Sequence, residues 1–184
     1  MQAICILLLL NDSLAYIFRG HPGNTAYYMV RISNYMVFFS NYLYMGVFSI
    51  FLWRSVRELN ELGFSGLGVL LLTLSQAYGW FYTFDADHYY HRGTWYIVAQ
   101  LIAIVGMAID LTILLQYRKR LDRVLFYAIL SYFVLPAITT VIMIFTYGLS
   151  LQNIAIVISA QIMFVMDTID ISSRLDRSHM ALLR

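Results

Sequence analysis

Residues 84–95 read FDADHYYHRGTW and form a polar, aromatic island between two long apolar segments. The segment before the island covers residues 66–84, and the segment after it covers residues 95–117. Each is long enough to cross a bilayer, since a membrane-spanning helix needs about 20 apolar residues. We therefore expect the island to lie at a membrane surface, at the outward-facing end of a helical bundle.

The composition of the whole chain agrees with this placement. Of its 184 residues, 61% are hydrophobic and 12% are charged, whereas about 25% of the residues in a soluble domain are charged. The mean hydropathy is +0.71. The sequence therefore predicts an integral membrane protein, which leaves no room for a soluble catalytic domain within these residues.

Six apolar segments can be drawn along the chain, namely residues 1–18, 26–53, 66–84, 95–117, 124–147 and 151–167. The first segment lacks the basic start and the small-residue cleavage site of a secretory signal. Short loops place consecutive helices side by side and antiparallel. We predict an all-α fold, an integral membrane bundle of six transmembrane helices over residues 1–170. Residues 171–184 are predicted to begin a cytoplasmic signalling helix.

Basic residues are distributed unequally over alternate loops. The side of the island holds Arg19, Arg31 and Arg92. The other side holds Arg54, Arg57, Arg118, Lys119, Arg120, Arg123, Arg174, Arg177 and Arg184. Because loops rich in Lys and Arg remain in the cytoplasm, both termini are predicted to be cytoplasmic.

Three charged side chains fall inside the predicted spans, where they are unfavourable in lipid and therefore functional candidates: Asp12, Arg31 and Asp110. Asp12 and Arg31 flank the first outer loop at similar depth. They are expected to form an ion pair between the first two helices, unless Arg31 faces a pocket and holds an anionic ligand group. Asn34 and Asn41 lie on nearly the same helical face as Arg31 and continue a polar stripe.

Asp110 has no basic residue near it in the sequence, so its partner is expected on another helix. The candidates are Gln161, Thr139 and Thr140. A proton relay is the less favoured reading, because a transporter usually shows more than one carboxylate along its path.

Two packing features are predicted for the later helices. Small residues at Ala99, Ala103 and Gly106 allow the fourth helix to approach a partner closely. Pro136 falls within the fifth segment and is expected to kink its helix, because proline removes one backbone hydrogen bond.

The island itself has three readings. Its carboxylates and histidines could bind a metal ion, but such a site needs three or four converging ligands, and no metal is predicted. It could be a plain junction between helices, with Gly93 providing the turn. The favoured reading is capture of a small ligand. The predicted ligand-binding residues are Arg31, Asn34, Trp80, Tyr82, Asp85, His88, Tyr89, Tyr90, His91, Arg92 and Trp95.

Other chemistry has no support in the sequence. Gly63, Gly66 and Gly68 lack the following Lys and Ser or Thr of a phosphate-binding loop. The single Cys5 excludes an internal disulfide. No cofactor and no nucleic-acid partner are expected, since the basic clusters are the inner loops that the topology requires.

Five stretches of the sequence carry a resemblance to a known type of domain. They are NDSLAYIFRGHPG at 11–23, YYMVRISN at 27–34, YYHR at 89–92, QYRKRL at 116–121 and YGLSLQNIA at 147–155. Together they resemble an uncharacterised multi-span input domain of gut clostridial signalling proteins, where it precedes a sensor histidine kinase or a diguanylate cyclase module. The resemblance spans nearly the whole chain, although His21 stands where Asn is expected.

The resemblance implies a sensory domain of the bacterial plasma membrane. The sequence departs from the family in lacking the catalytic module, so we expect either a cut-out domain or a truncated relative without output of its own. A small ligand or a membrane signal would act at its outer side, and a homodimer formed through the sixth helix would pass the change to a cytoplasmic output. Residues 167–184 are polar, charged and free of Gly and Pro, as the start of such a coil would be. The competing class is a small transporter or channel, with Asp110, Asn34 and Asn41 along its path.

Overall fold

The computed structural model describes residues 1–56, 62–87, 89–145 and 151–182, and it is mainly helical. Its α-helices are α1 (Gln2–Ile17), α2 (Asn24–Val56), α3 (Leu62–Tyr78), α4 (Tyr96–Gln116), α5 (Arg123–Phe145) and α6 (Leu151–Leu182). A short 3-10 helix, Arg118–Arg120, lies between α4 and α5. The predicted helical class is confirmed, and each apolar segment contains one helix.

Within the described residues, three helical stretches are long and apolar enough to cross a membrane: Asn24–Leu52, Tyr96–Gln116 and Leu151–Ser173. The shorter apolar helices are Gln2–Ile17, Gly66–Gln76 and Arg123–Thr139. Length and composition therefore support association with a membrane. A bundle that crosses it six times stays a prediction.

The prediction of one apolar span over residues 66–84 is wrong at the C-terminal end of that segment. Helix α3 stops at Tyr78, and the chain then forms an antiparallel hairpin of β1 (Tyr82–Phe84) and β2 (Tyr90–Arg92). Gly79 ends the helix in the left-handed region, with φ of 63°, a conformation that glycine adopts without a side-chain clash. The Ser75 hydroxyl then accepts a hydrogen bond from the backbone N–H of Phe81, at 2.8 Å.

The chain divides into two compact units, Met1–Thr112 and Ile113–Arg184. In the first unit, α2 packs against α1 and α3. Its core includes Tyr42 and Met45 of α2, Leu72 of α3, Phe81 and Tyr82 beside the hairpin, and Ala99 of α4.

Small residues permit the close helix contacts of the first unit. A Cβ atom added at Gly68 would lie 2.5 Å from ring carbons of Tyr42, and one at Gly106 would lie 2.8 Å from the sulfur of Met45. The backbone carbonyl of Ala99 accepts a hydrogen bond from the Tyr42 hydroxyl, at 3.2 Å. The predicted close approach of the fourth helix is therefore confirmed at Ala99 and Gly106.

The second unit contains α5 packed along α6. Pro136 is buried inside α5, and the helix continues past it to Phe145. Thr139 Oγ1 lies 3.2 Å from the carbonyl oxygen of Leu135 and 3.0 Å from that of Pro136. A kink at Pro136 stays a prediction. Helix α6 is continuous to Leu182 and so runs through the predicted boundary at residue 170.

Candidate functional site

The hairpin brings most of the predicted island residues together. Its register pairs Tyr82 with Arg92, Thr83 with His91, and Phe84 with Tyr90. Side chains of directly opposed residues lie on the same face of a two-stranded sheet. Rings of Tyr82, Phe84 and Tyr90 accordingly form one aromatic face, with centroids 5.5 to 6.3 Å apart. The connection between α3 and α4 is therefore a hairpin, and capture of a ligand there stays a prediction.

Asp85 organises the turn of the hairpin. One carboxylate oxygen accepts hydrogen bonds from the backbone N–H groups of Asp87, at 3.1 Å, and Tyr89, at 2.8 Å. The other lies 2.8 Å from Nε2 of His91. The hydrogen bond with His91, followed by the one from Tyr89, holds the pKa of Asp85 below its usual value. Asp85 and His91 are therefore engaged with each other, and His88 lies outside the described residues.

The base of the hairpin is closed by backbone bonds and by stacked rings. Gly93 N donates to the carbonyl oxygen of Phe81 at 2.9 Å, and Trp95 N donates to that of Trp80 at 2.8 Å. The Trp80 ring stacks on Trp95 with centroids 5.5 Å apart, and on Tyr78 at 4.8 Å. The predicted aromatic rim of Trp80 and Trp95 is thus a contiguous surface.

Gly93 is required at this point by close packing. A Cβ atom there would lie 2.2 Å from the carbonyl oxygen of Trp80 and 2.6 Å from that of Gly79. Gly93 was predicted to provide a turn. It lies instead where two backbone segments approach closely, and only glycine has room there.

Tyr82 connects the hairpin to α2 and α3. Its ring stacks on Phe38 of α2 with centroids 5.2 Å apart, and its hydroxyl accepts a hydrogen bond from Nε2 of Gln76, at 2.8 Å. The residue is only 5% exposed. Burial raises the pKa of Tyr82 to about 12, so the phenol stays neutral over the physiological range.

Tyr89 attaches the hairpin turn to the loop between α1 and α2. The guanidinium carbon of Arg19 lies 5.1 Å from the centroid of the Tyr89 ring. A Cβ atom on Gly20 would lie 2.7 Å from the Tyr89 hydroxyl oxygen. No sequence pattern predicted this contact, because residues 20 and 89 belong to different loops.

Arg31 and Arg92 also lie over aromatic rings. The guanidinium carbon of Arg31 is 4.3 Å from the ring centroid of Tyr27 and 5.1 Å from that of Phe84. The guanidinium carbon of Arg92 is 4.9 Å from the ring centroid of Tyr96. Residue spacing did not predict Tyr27, Phe84 or Tyr96 as partners of these arginines.

The other polar residues that were predicted to lie within the spans have mixed outcomes. Asn34 uses its amide within α2, where Nδ2 donates to the carbonyl oxygen of Val30 at 2.8 Å. Asp12 is half-buried on α1, and its ion pair with Arg31 stays a prediction.

Asp110 is 1% exposed. It accepts a hydrogen bond from the Ser49 hydroxyl of α2 at 2.9 Å. Ser49 was missed because it stands alone in an apolar stretch. Contacts with Gln161 or Thr139 stay predictions, and the side chain of Thr140 lies outside the described part of the chain.

The geometry at the hairpin end of the first unit does not support a metal site. Among the described residues, no three His, Cys, Asp or Glu side chains come together in a group that could hold a metal ion.

The chain matches no protein-family model, no curated protein and no solved structure. The resemblance to clostridial input domains therefore stays a prediction, and function is argued from the geometry.

Proposed function

We propose that the chain is the transmembrane input domain of a bacterial signal-transduction protein. It lies in the plasma membrane with six spans and both termini in the cytoplasm. It receives a ligand or a membrane signal at the hairpin end and passes the change to a cytoplasmic output. That output is a histidine kinase or a diguanylate cyclase module, as the sequence resemblance implies.

The observation that carries the proposal is the length and polarity of α6. Its Leu151–Ser173 stretch is long and apolar enough to cross a membrane, and the same helix continues to Leu182. Thirty-two residues extend roughly 48 Å at 1.5 Å per residue, whereas the hydrocarbon core is about 30 Å thick. One uninterrupted helix that extends beyond the bilayer can transmit a displacement or rotation to the segment that follows it.

The hairpin supports the receiving side of the proposal. Tyr89 and Trp95 are 42% and 52% exposed, and the side chains of His91 and Asp85 are also accessible. These polar and aromatic groups stand on a turn held by cross-strand bonds, so their positions are fixed before any ligand arrives.

Topology is tested first, by cysteine labelling in intact cells. The native Cys5 is replaced by Ser, and single cysteines are introduced as Thr94→Cys beside the hairpin and Ser178→Cys on α6, beyond the candidate span. A membrane-impermeant maleimide should label Thr94→Cys in intact cells and Ser178→Cys only after lysis. Labelling of both positions in intact cells would contradict the proposed orientation.

Signal transmission is tested with a fusion. The whole chain is joined at Arg184 to the catalytic module of a diguanylate cyclase, and cyclic dinucleotide is measured. Insertion of one to four residues after Leu182 should alter output periodically, because each added residue rotates a helix by about 100°. The transporter or channel would be favoured if no insertion changed the amount of cyclic dinucleotide and the chain carried ions or solutes across liposome membranes.

A further inference from the structure

Arg31 lies over aromatic rings from two elements that are distant in the sequence. Tyr27 precedes it by one turn on α2, and Phe84 comes from β1 of the hairpin. Its guanidinium carbon lies 4.3 Å and 5.1 Å from the centroids of these two rings, and the Arg31 side chain is exposed. Folding therefore places a positive charge between aromatic side chains at the outer end of the unit.

The two rings hold the guanidinium without using its hydrogen-bonding edge. An aromatic face attracts a cation through its quadrupole, which fixes the position of the charge. A guanidinium carries five N–H donors in one plane, arranged to meet the oxygens of a carboxylate or a phosphate in pairs. An arginine positioned by rings is therefore ready to bind an oxyanion through charge-assisted hydrogen bonds.

The surface beside Arg31 is apolar. Tyr28 and Ile32 are 60% and 56% exposed. The Tyr28 ring meets the Tyr27 ring edge to face, with centroids 5.2 Å apart. A positive group beside exposed apolar side chains suits a ligand with an anionic head and an apolar body.

We propose that Arg31, positioned by Tyr27 and Phe84, binds the oxyanion head of an amphiphile whose apolar part lies against Tyr28 and Ile32. The head is a carboxylate or a phosphate, and it belongs either to a membrane phospholipid or to a free amphiphile such as a fatty acid. The inference rests on the proposed function, since it names the chemical class of the signal. Because Phe84 belongs to the hairpin, binding at Arg31 also reaches the segment that carries Asp85 and His91.

Binding is measured with the full chain purified in a neutral detergent. The probes are dodecanoate and dodecyl phosphate, and the controls are dodecanol and dodecyltrimethylammonium. Arg31→Gln should weaken binding of both anionic probes by about tenfold or more, because it removes charge-assisted hydrogen bonds. Arg31→Lys should have an intermediate effect, because an ammonium keeps the charge and loses the planar donor pair.

Arg120→Gln is the matched control, since Arg120 also lies over a ring, that of Tyr117. It should leave the affinity for both anionic probes unchanged. Helix content measured by circular dichroism verifies that each variant is folded, and Arg31→Lys keeps the test informative if Arg31→Gln does not fold. The proposal would be overturned if wild type, Arg31→Lys and Arg31→Gln bound the anionic probes with equal affinity. It would also be overturned if dodecyltrimethylammonium bound as tightly as the anionic probes.

Nanodiscs distinguish the two sources of the oxyanion. If a phospholipid is the ligand, phosphatidylglycerol should copurify with the wild-type chain and be depleted in Arg31→Gln, and dodecanoate should compete with it. If a free amphiphile is the ligand, dodecanoate should bind equally in discs of phosphatidylcholine alone and in discs that also contain phosphatidylglycerol. The site would be refuted if neither phosphatidylglycerol nor phosphatidylcholine were enriched with the wild-type chain and dodecanoate did not bind.

The same chain fused to the cyclase module separates this inference from the proposed function. Binding of the anionic probes without any change in output would contradict the input-domain function and leave the site standing. A change in output on adding the probes, equal in wild type and Arg31→Gln, would contradict the site and support the function.

Discussion

The hairpin end of the first unit and the helix pair of the second unit use polar groups in opposite ways. Around the hairpin, polar side chains bond between elements, as Gln76 does with Tyr82 and Asp85 with His91. In the second unit, the hydroxyls of Ser131, Thr139 and Thr168 bond to carbonyl oxygens of their own helices. Bonds between elements fix a geometry, whereas bonds within a helix persist when that helix moves as a body.

The difference between the hairpin end and the α5–α6 pair fits the roles that these two regions have in the proposed sensor. A receiving end that binds a ligand needs a fixed constellation of side chains. A transmitting helix pair needs two arrangements of similar free energy. Hydroxyls that bond within their own helices do not oppose a shift of α5 along α6, whereas the contact of Ser159 with the Ser131 carbonyl oxygen, at 3.2 Å, would have to break.

The largest effect is expected at Gly93. Gly93→Ala should destabilise the hairpin end by about 2 kcal/mol or more, because the new methyl group meets backbone carbonyl oxygens. Thermal unfolding followed by tryptophan fluorescence reports it through Trp80 and Trp95. Gly66→Ala is the control, since a Cβ atom there meets nothing within 4 Å. Equal melting temperatures for the two variants would break the claim that the hairpin end is tightly fixed.

A smaller effect is expected at Ser49. Ser49→Ala removes a hydrogen bond to the buried Asp110 carboxylate and should cost about 1 kcal/mol of unfolding free energy. Thr112→Ala removes only a bond to the carbonyl of Ala108 in its own helix and serves as the control. Denaturant unfolding in mixed micelles measures both. If Thr112→Ala lowered the unfolding free energy as much as Ser49→Ala, hydrogen bonds between elements would be no more stabilising than those within one helix.

The second unit should respond weakly to the equivalent change. Ser159 is buried, and its hydroxyl oxygen lies 2.8 Å from the Ala155 carbonyl of its own helix and, at a longer 3.2 Å, from the Ser131 carbonyl of α5. Both acceptors are neutral carbonyl groups, whereas Ser49 bonds to the carboxyl group of Asp110. Ser159→Ala should therefore lower the unfolding free energy by only about 0.5 kcal/mol, the low end for a hydrogen bond. Thr168→Ala, which affects an exposed bond within α6, should be neutral. A loss at Ser159 larger than that at Ser49 would reverse the comparison.

The smallest effect is expected at Asp85, because water screens an exposed pair. Its pKa is lowered in the folded state from an ordinary value of 3.8. The stability that it contributes is therefore fully present above that value and is lost as the pH falls through the lower folded-state pKa. Asp85→Asn should remove this acid dependence from the fluorescence melting curve. Asp87→Asn, which changes an exposed carboxylate in the same turn, should retain it.

Several features could be predicted from local sequence. Apolar runs bounded by charged loops predicted a helix in each of six places, and small residues predicted close packing at Ala99 and Gly106. The hairpin was missed because Tyr82, Thr83 and Phe84 continue an apolar run without interruption. Only Gly79 marked the change, and a glycine near an aromatic stretch is consistent with helix or strand.

The amino-acid sequence by itself determined the helical class, the apolar character and the presence of a polar stretch between two apolar segments, because these depend on composition and periodicity along neighbouring residues. Tertiary structure alone decided the partners: Phe84 beside Arg31, Tyr89 against Gly20, and Ser49 on Asp110. Such contacts join residues from different elements, and their choice depends on side-chain shape and on the satisfaction of buried polar groups. Neither property is encoded in the spacing of residues along one segment.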